Sequence, residues 1–125
     1  MKLKVLIADD ADEIVRRLRN MVLDLDFVSG IGHARNGDEA LVVTNFMQPS
    51  VVILDVRMPG RSGIEILKEI KQNYPLTTVI ILTNYSEEEW RTHCLEAGAD
   101  YFLDKSREFD RIPKILESIA GNTVN

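Results

Sequence analysis

The sequence predicts an α/β fold, a single doubly wound parallel sheet of five strands in the order 2-1-3-4-5 with five helices, and three observations predict it. Short apolar runs alternate with helical periodicity five times along the 125 residues, the pattern left by βα units around a parallel sheet. Two of the runs, Val51-Val52-Ile53-Leu54 and Thr78 to Thr83, are continuous and not alternating, as in strands buried on both faces. Chemistry-bearing residues follow strands one, three, four and five but not two, which suits an order that leaves strand two on an edge and opens a crevice beside strands one and three.

The elements follow in order. Leu3 to Ala8 reads as the first strand. Asp10-x-x-Glu13 offers an N-cap pairing, and Ile14, Val15, Leu18, Met21, Val22 and Leu25 recur at helical spacing. Phe27 to Ala34 is a weaker strand, interrupted by Gly30 and Gly32 as an edge strand can be. Asn36-Gly37-Asp38-Glu39 caps a second helix marked by Ala40, Leu41, Val43 and Met47. Strand three ends abruptly in Asp55, and Met58-Pro59-Gly60 halts regular structure, since proline donates no N–H and biases the preceding residue towards extended conformations. Ser62-x-x-Glu65 is a capping box for a third helix carrying Ile64, Leu67 and Ile70, which Pro75 ends after Tyr74.

Strand four runs from Thr78 to Thr83. Ser86-x-x-Glu89 is expected to cap the fourth helix, whose apolar face of Trp90, Cys94, Leu95 and Ala97 is the poorest of the five, so that it is loosely anchored and able to move. Gly98 stops it, and Asp100 to Leu103 forms a short fifth strand. Ile112, Ile115, Leu116 and Ile119 define the last helix, expected to begin near Asp110 with Pro113 in its first turn and to end at Gly121. One domain is expected over residues 1–121, with 122–125 a frayed tail or the start of a linker.

Composition narrows the function. Hydrophobic residues at 45% and charged residues at 28% are ordinary for a soluble globular chain. A net charge of −5 argues against a nucleic-acid surface, because DNA binders gather Lys and Arg to displace counterions. The single cysteine, Cys94, cannot form an internal disulfide and reads as a small buried apolar residue. Val5-Leu6-Ile7-Ala8 is too short for a signal peptide, and no run reaches membrane-spanning length, so a cytoplasmic protein is expected. His33 and His93 lack partners at metal-ligand spacing. Gly30-x-Gly32 has no third glycine to make a dinucleotide fingerprint, and no Walker A motif occurs.

The residues just past strand ends are Asp9 and Asp10, Asp55, Thr83 and Lys105. In the 2-1-3-4-5 order all five line one crevice. Three crowded carboxylates repel unless a cation sits among them, and Mg²⁺ suits such a site because it takes hard oxygen ligands and commonly binds one or two carboxylates with phosphate oxygens. Lys105 adds a flexible ammonium for a phosphoryl oxygen, and Thr83 a hydroxyl donor. The ensemble fits phosphoryl transfer to a carboxylate.

On these motifs, the acidic pair Asp9-Asp10, Asp55-x-x-Met58-Pro59-Gly60, Thr83 and Lys105, the chain resembles the receiver domains of two-component response regulators over essentially all of residues 1–121. The resemblance implies a flavodoxin-like fold and a phosphoacceptor, not an enzyme, that takes part in its own phosphorylation and dephosphorylation. It implies that Asp55 receives phosphate from a sensor histidine kinase or phosphotransfer protein. It further implies that Asp10, Asp55 and the backbone carbonyl of Arg57 ligate Mg²⁺, with Asp9 acting partly through water, and that Thr83 and Lys105 hold phosphoryl oxygens. Thr83 and Phe102 would switch the surface of helix four, strand five and helix five towards an output domain or protein target, and a phosphorylation-dependent homodimer is compatible with it. The domain itself would touch neither nucleic acid nor membrane.

Three positions depart from the family pattern. Ser106 follows Lys105 where proline after a cis peptide is usual, Asn84 is larger than the usual small residue after the threonine and implies a narrower approach, and Phe102 stands where tyrosine is commoner. Two alternatives differ in kind. A haloacid-dehalogenase-type aspartyl phosphotransferase or phosphatase needs a second aspartate two residues after the nucleophile, where this chain has Arg57. A receiver used only for docking would be favoured if the acids or the lysine were missing, and all are present.

Overall fold

The structure, a computed structural model, describes residues 2–60 and 62–122. Strands β1 (Leu3–Ala8), β2 (Val28–Ala34), β3 (Val51–Leu54), β4 (Thr78–Thr83) and β5 (Tyr101–Asp104) form one parallel sheet in the order β2-β1-β3-β4-β5. Between them run α1 (Asp12–Leu23), α2 (Gly37–Met47), α3 (Gly63–Asn73) and α4 (Glu88–Glu96), and α5 (Ile112–Asn122) closes the chain after a 3₁₀ turn at Phe109–Arg111.

Alternation along the strands divides the core in two. Val5 and Ile7 face α1 and α5 with Ile53 and Leu82, packing on Leu18, Ile112 and Leu116. Leu6 and Ala8 face α2, α3 and α4 with Leu54 and Ile81, packing on Ile66, Leu67, Ile70 and Cys94. The β3 residues are buried on both faces, as its unbroken apolar run requires, and each such side chain contributes about 1.5–3 kcal/mol relative to exposure. On the edge, β2 is mostly half-buried, and its pairing with β1 slips between Leu3 and Lys4.

Glycine is demanded at two helix ends. A Cβ on Gly63 would stand 2.3 Å from Val56 Cα, so α3 can start this close to the loop after β3 only without a side chain. Gly98 has φ +111° and ends α4, its N–H bonding to Leu95 O at 3.1 Å and that of Ala99 to Cys94 O at 3.0 Å.

Two caps fall as expected. Asn36 Oδ1 accepts from Glu39 N at 2.8 Å while Glu39 Oε1 accepts from Arg35 N at 3.2 Å, and Ser62 Oγ accepts from Ile64 N at 3.3 Å. Two do not. The α1 N-cap is Ala11, which has no side-chain cap, because it is the Asp9 carboxylate that accepts from Ala11 N, at 2.8 Å. Glu87 stands at the α4 N-cap, also without a side-chain bond, because the Ser86 hydroxyl donates to Asp104 instead. Gly121 does not end α5, which continues to Asn122; glycine permits a stop but forces one only in the left-handed region, which Gly121 does not enter. Residues 123–125, expected to fray, lie outside the described residues. The thin anchoring of α4 is plain, with Cys94 its only buried residue and Leu95 41% exposed. No helix among the described residues is long and apolar enough to cross a membrane.

Candidate functional site

Asp9, Asp55 and Lys105 each stand one step past the carboxyl end of a strand because the sheet's hydrogen bonds run that far. Asp9 N donates to Ala34 O, Asp55 N to Ala8 O and Lys105 N to Thr83 O, at 3.0, 3.0 and 2.8 Å. The neighbouring strands β1 and β3 each deliver an acid, and β5, on the far side of β4, delivers the lysine to the same point. Lys105 Nζ lies 2.7 Å from Asp9 Oδ2 and 2.8 Å from Asp55 Oδ2, and all three residues are buried.

The carboxylates are held from behind. Asp55 Oδ1 accepts from Arg57 N at 3.0 Å, Asp9 Oδ1 from Ala11 N, and the Asp9 carbonyl bonds to His33 Nε2 at 3.1 Å. Burial pushes Asp9 above the usual carboxylate range, and hydrogen bonds from Lys105 and Ala11 offset only part of this. Burial acts on Lys105 to lower it, but the hydrogen bonds and charges of Asp55 and Asp9 outweigh that and hold its ammonium above the usual range.

One carboxylate oxygen from each of Asp9, Asp10 and Asp55 lies within 4.8 Å of the others. Asp9 and Asp55 are buried and Asp10 exposed, so the cluster opens to solvent on one side. Three hard oxygen donors carrying more negative charge than one ammonium neutralises are a set that fits Mg²⁺.

Thr83 is fully buried at the end of β4, and its Oγ1 accepts from Tyr85 N at 3.1 Å. The Phe102 ring is buried in the core on the α3 and α4 side, with the Arg91 guanidinium 5.7 Å from its centroid and Arg91 Nη1 donating to Phe102 O at 3.3 Å. Among the described residues no peptide bond is cis, so Lys105–Ser106 is trans. Asn84 is exposed, and its Oδ1 accepts from the Ser106 hydroxyl. A cavity of about 310 Å³ opens beside Lys105, bordered by Ala11, Arg17, Asn84, Ser106 and Phe109.

Sequence reasoning missed two features at the mouth. The Arg57 guanidinium stacks on the Tyr85 ring at 4.1 Å, joining the loops that follow β3 and β4, and nothing in the spacing of these residues announces the contact. Asp104 is the second. An aspartate just before a loop, followed by residues able to donate N–H groups, is a turn-capping signal that was legible. His33 supports the Asp9 backbone, and Cys94 is buried with its thiol pushed up to about 11, which fits the inert packing role read for it.

A doubly wound sheet with an acid–lysine cluster at its switch point defines a class of α/β domain that carries its site at the carboxyl ends of its strands. Residues 5–117 match the response regulator receiver domain family, and the chain belongs to that family. It is 33% identical over 117 residues to the response regulator GacA of Pseudomonas protegens and 35% identical over 119 residues to an uncharacterised transcriptional regulatory protein, YhcZ, of Bacillus subtilis. The matches cover 94% and 95% of this chain but 55% and 56% of those relatives, so the chain spans little more than half their length. Among solved structures, the receiver domain of a Francisella response regulator superposes with TM-score 0.86 at 28% identity, covering 98% of this chain and 99% of that one. The response regulator domain of Thermotoga maritima CheB gives 0.83 at 29%, covering 95% and 94%. The chain is thus a receiver domain of two-component signalling, a class that pairs with histidine kinases and output domains.

Proposed function

We propose that this domain is a phosphoacceptor switch, with Asp55 the residue that receives the phosphoryl group. The observation that carries the reading is the Lys105 ammonium shared between Asp55 and Asp9 at 2.8 and 2.7 Å inside a three-carboxylate cluster. In the transfer, an Asp55 carboxylate oxygen attacks the phosphorus of a phosphohistidine, the P–N bond breaks, and the imidazole leaves with its electron pair. Asp9, Asp10, Asp55 and the backbone carbonyl of Arg57 would hold Mg²⁺, which when bound offsets the charge of the incoming dianion. Lys105 turns from two carboxylates to a phosphoryl oxygen, and the Thr83 hydroxyl donates to another. The chain is a substrate of its kinase that assists its own phosphorylation and dephosphorylation; a turnover enzyme of the haloacid-dehalogenase type lacks support, because Arg57 stands where the second aspartate is required.

The output side is read as the face of α4, β5 and α5, on the strength of α4's single buried residue. A kinase or phosphotransfer protein upstream, an output domain or target downstream and a cytoplasmic site of action complete the proposal. Intact mass spectrometry after mixing with acetyl phosphate and Mg²⁺ tests it. One phosphate on the wild type and none on Asp55→Asn is expected. Stoichiometric acid-stable phosphate on Asp55→Asn overturns it.

A further inference from the structure

The loops that follow β4 and β5 are tied together by side chains that none of the roles above uses. Ser86 Oγ donates to Asp104 Oδ2, and Ser106 Oγ donates to Asn84 Oδ1 at 3.3 Å. Asp104 Oδ1 accepts from the backbone N–H groups of Ser106 at 2.8 Å and Arg107 at 2.9 Å. Glu108 completes the turn, its N–H donating to Asp104 O at 2.8 Å and its Oε1 accepting from Asp104 N at 2.9 Å. Residues 104–108 therefore form a capped turn with Lys105 as the first residue inside it.

A lysine side chain has four rotatable bonds and reaches a fixed point only from a fixed backbone. Lys105 is fixed on one side by its N–H to Thr83 O and on the other by the turn that Asp104 caps. The capping carboxylate, on a side chain 11% exposed, also receives the hydroxyl of the loop that leads away from Thr83.

We propose that Asp104 is a positioning residue that holds the Lys105 ammonium at Asp55 and Asp9, and that the Ser86–Asp104 hydrogen bond makes this position depend on the loop following Thr83. Its consequence for phosphoryl transfer rests on the phosphoacceptor reading; its geometry belongs to the resting protein. Ser106 has a place in this device that proline could not take, since proline has no N–H to give the cap.

The test uses two pairs of variants, Asp104→Ala with Asp104→Asn and Ser86→Ala with Ser86→Thr, each pair removing a group and then restoring its hydrogen-bonding capacity. The first readout, taken without any phosphodonor, is the ¹⁵N ammonium resonance of Lys105, slowed in exchange by burial and two ion pairs. Asp104→Ala and Ser86→Ala should shift or lose it, and Asp104→Asn and Ser86→Thr should restore it, with urea melts confirming that all four fold. The second is phosphate uptake from acetyl phosphate, expected to fall about tenfold in the alanine variants, the factor set by one hydrogen bond to a charged group. An unchanged Lys105 resonance in Asp104→Ala overturns the positioning role. An unchanged one in Ser86→Ala overturns the coupling, and the Ser86 pair carries the test alone if Asp104→Ala does not fold. A wild type that takes up no phosphate sinks the phosphoacceptor reading instead, while the resonance still decides this inference.

Discussion

The Lys105 ammonium and the Asp55 carboxylate, fifty positions apart in sequence, meet at 2.8 Å with both side chains buried. The pair is bound to Asp9 as well, so the lysine neutralises two carboxylates at once. Removing it leaves two buried negative charges facing each other, and breaking a buried ion pair from one side costs about 3 kcal/mol or more. Lys105→Met is therefore expected to lower unfolding stability in urea by about that amount in EDTA, with Mg²⁺ recovering part of it. The sign with pH follows from the raised Lys105 value. The lysine's contribution is full below its unfolded value of 10.5 and is lost as pH rises through the folded one. The gap between wild type and variant should hold steady near neutrality and close only in strong alkali; a gap that closes between pH 6 and 8 refutes the assignment.

Asp10 is the exposed member of the acid cluster. Asp10→Ala relieves repulsion and should raise stability in EDTA by up to about 1 kcal/mol, the size of one Coulomb interaction near 4 Å in a solvated setting. It should also weaken Mg²⁺ binding and slow phosphate uptake. Thermal melts with and without Mg²⁺ read both effects, and a variant that Mg²⁺ stabilises as much as wild type removes Asp10 from the ligand set.

Gly63 fixes how closely α3 follows the loop carrying Asp55 and Arg57. With Val56 Cα 2.3 Å, O 2.6 Å and C 2.8 Å from the Cβ that alanine would add, backbone and not a flexible side chain must yield. Gly63→Ala should cost about 3 kcal/mol, the upper end for overpacking, where an ordinary helix-start glycine would gain from the change. A neutral or stabilising urea midpoint shows that the loop adapts freely.

Most of this arrangement was legible because parallel-sheet strands announce themselves. Val51–Leu54 and Thr78–Thr83 read as buried strands from composition alone, and once the order was assigned, Asp9, Asp55 and Lys105 had to converge. What sequence could not resolve was competition between partners. Asp9, Asp10, Ser86 and Glu89 all have cap-forming chemistry, yet Asp9 takes the Ala11 N–H and Ser86 gives its hydroxyl to Asp104, eighteen positions away. A local rule assigns such a side chain to its nearest helix; the fold offered Ser86 a charged acceptor instead, and hydrogen bonds to charged groups are the stronger ones. The Arg57–Tyr85 stack is hidden for a related reason, since it depends on how two loops cross above the sheet.

The output response is expected to run through Thr83. Its hydroxyl oxygen now accepts only from the neighbouring Tyr85 N–H, at 3.1 Å, among the hydrogen bonds described for it. A phosphoryl group on Asp55 offers that hydroxyl a charged acceptor, and such a bond contributes roughly 1.5–3 kcal/mol, enough to rebalance two states by about ten- to a hundredfold. The backbone that must follow is residues 84–87, and beyond it lies α4, which has Cys94 as its one buried residue and Trp90 half-buried against the same core. Phe102 is already packed in that core beneath Arg91, and it has no hydroxyl with which to favour one rotamer, so it is expected to follow the loop and not to drive it. Thr83→Ala should keep phosphate uptake on Asp55 while losing most of the change in α4 and β5. The measurement is the set of amide shifts over residues 84–104, with Mg²⁺ alone and with Mg²⁺ plus beryllofluoride, in wild type and in Thr83→Ala. A large wild-type perturbation that collapses in the variant assigns the coupling to the threonine hydroxyl. Equal perturbations in the two proteins would show that the signal leaves the site by another route, and the Ser86–Asp104 bond would then be the next contact to cut.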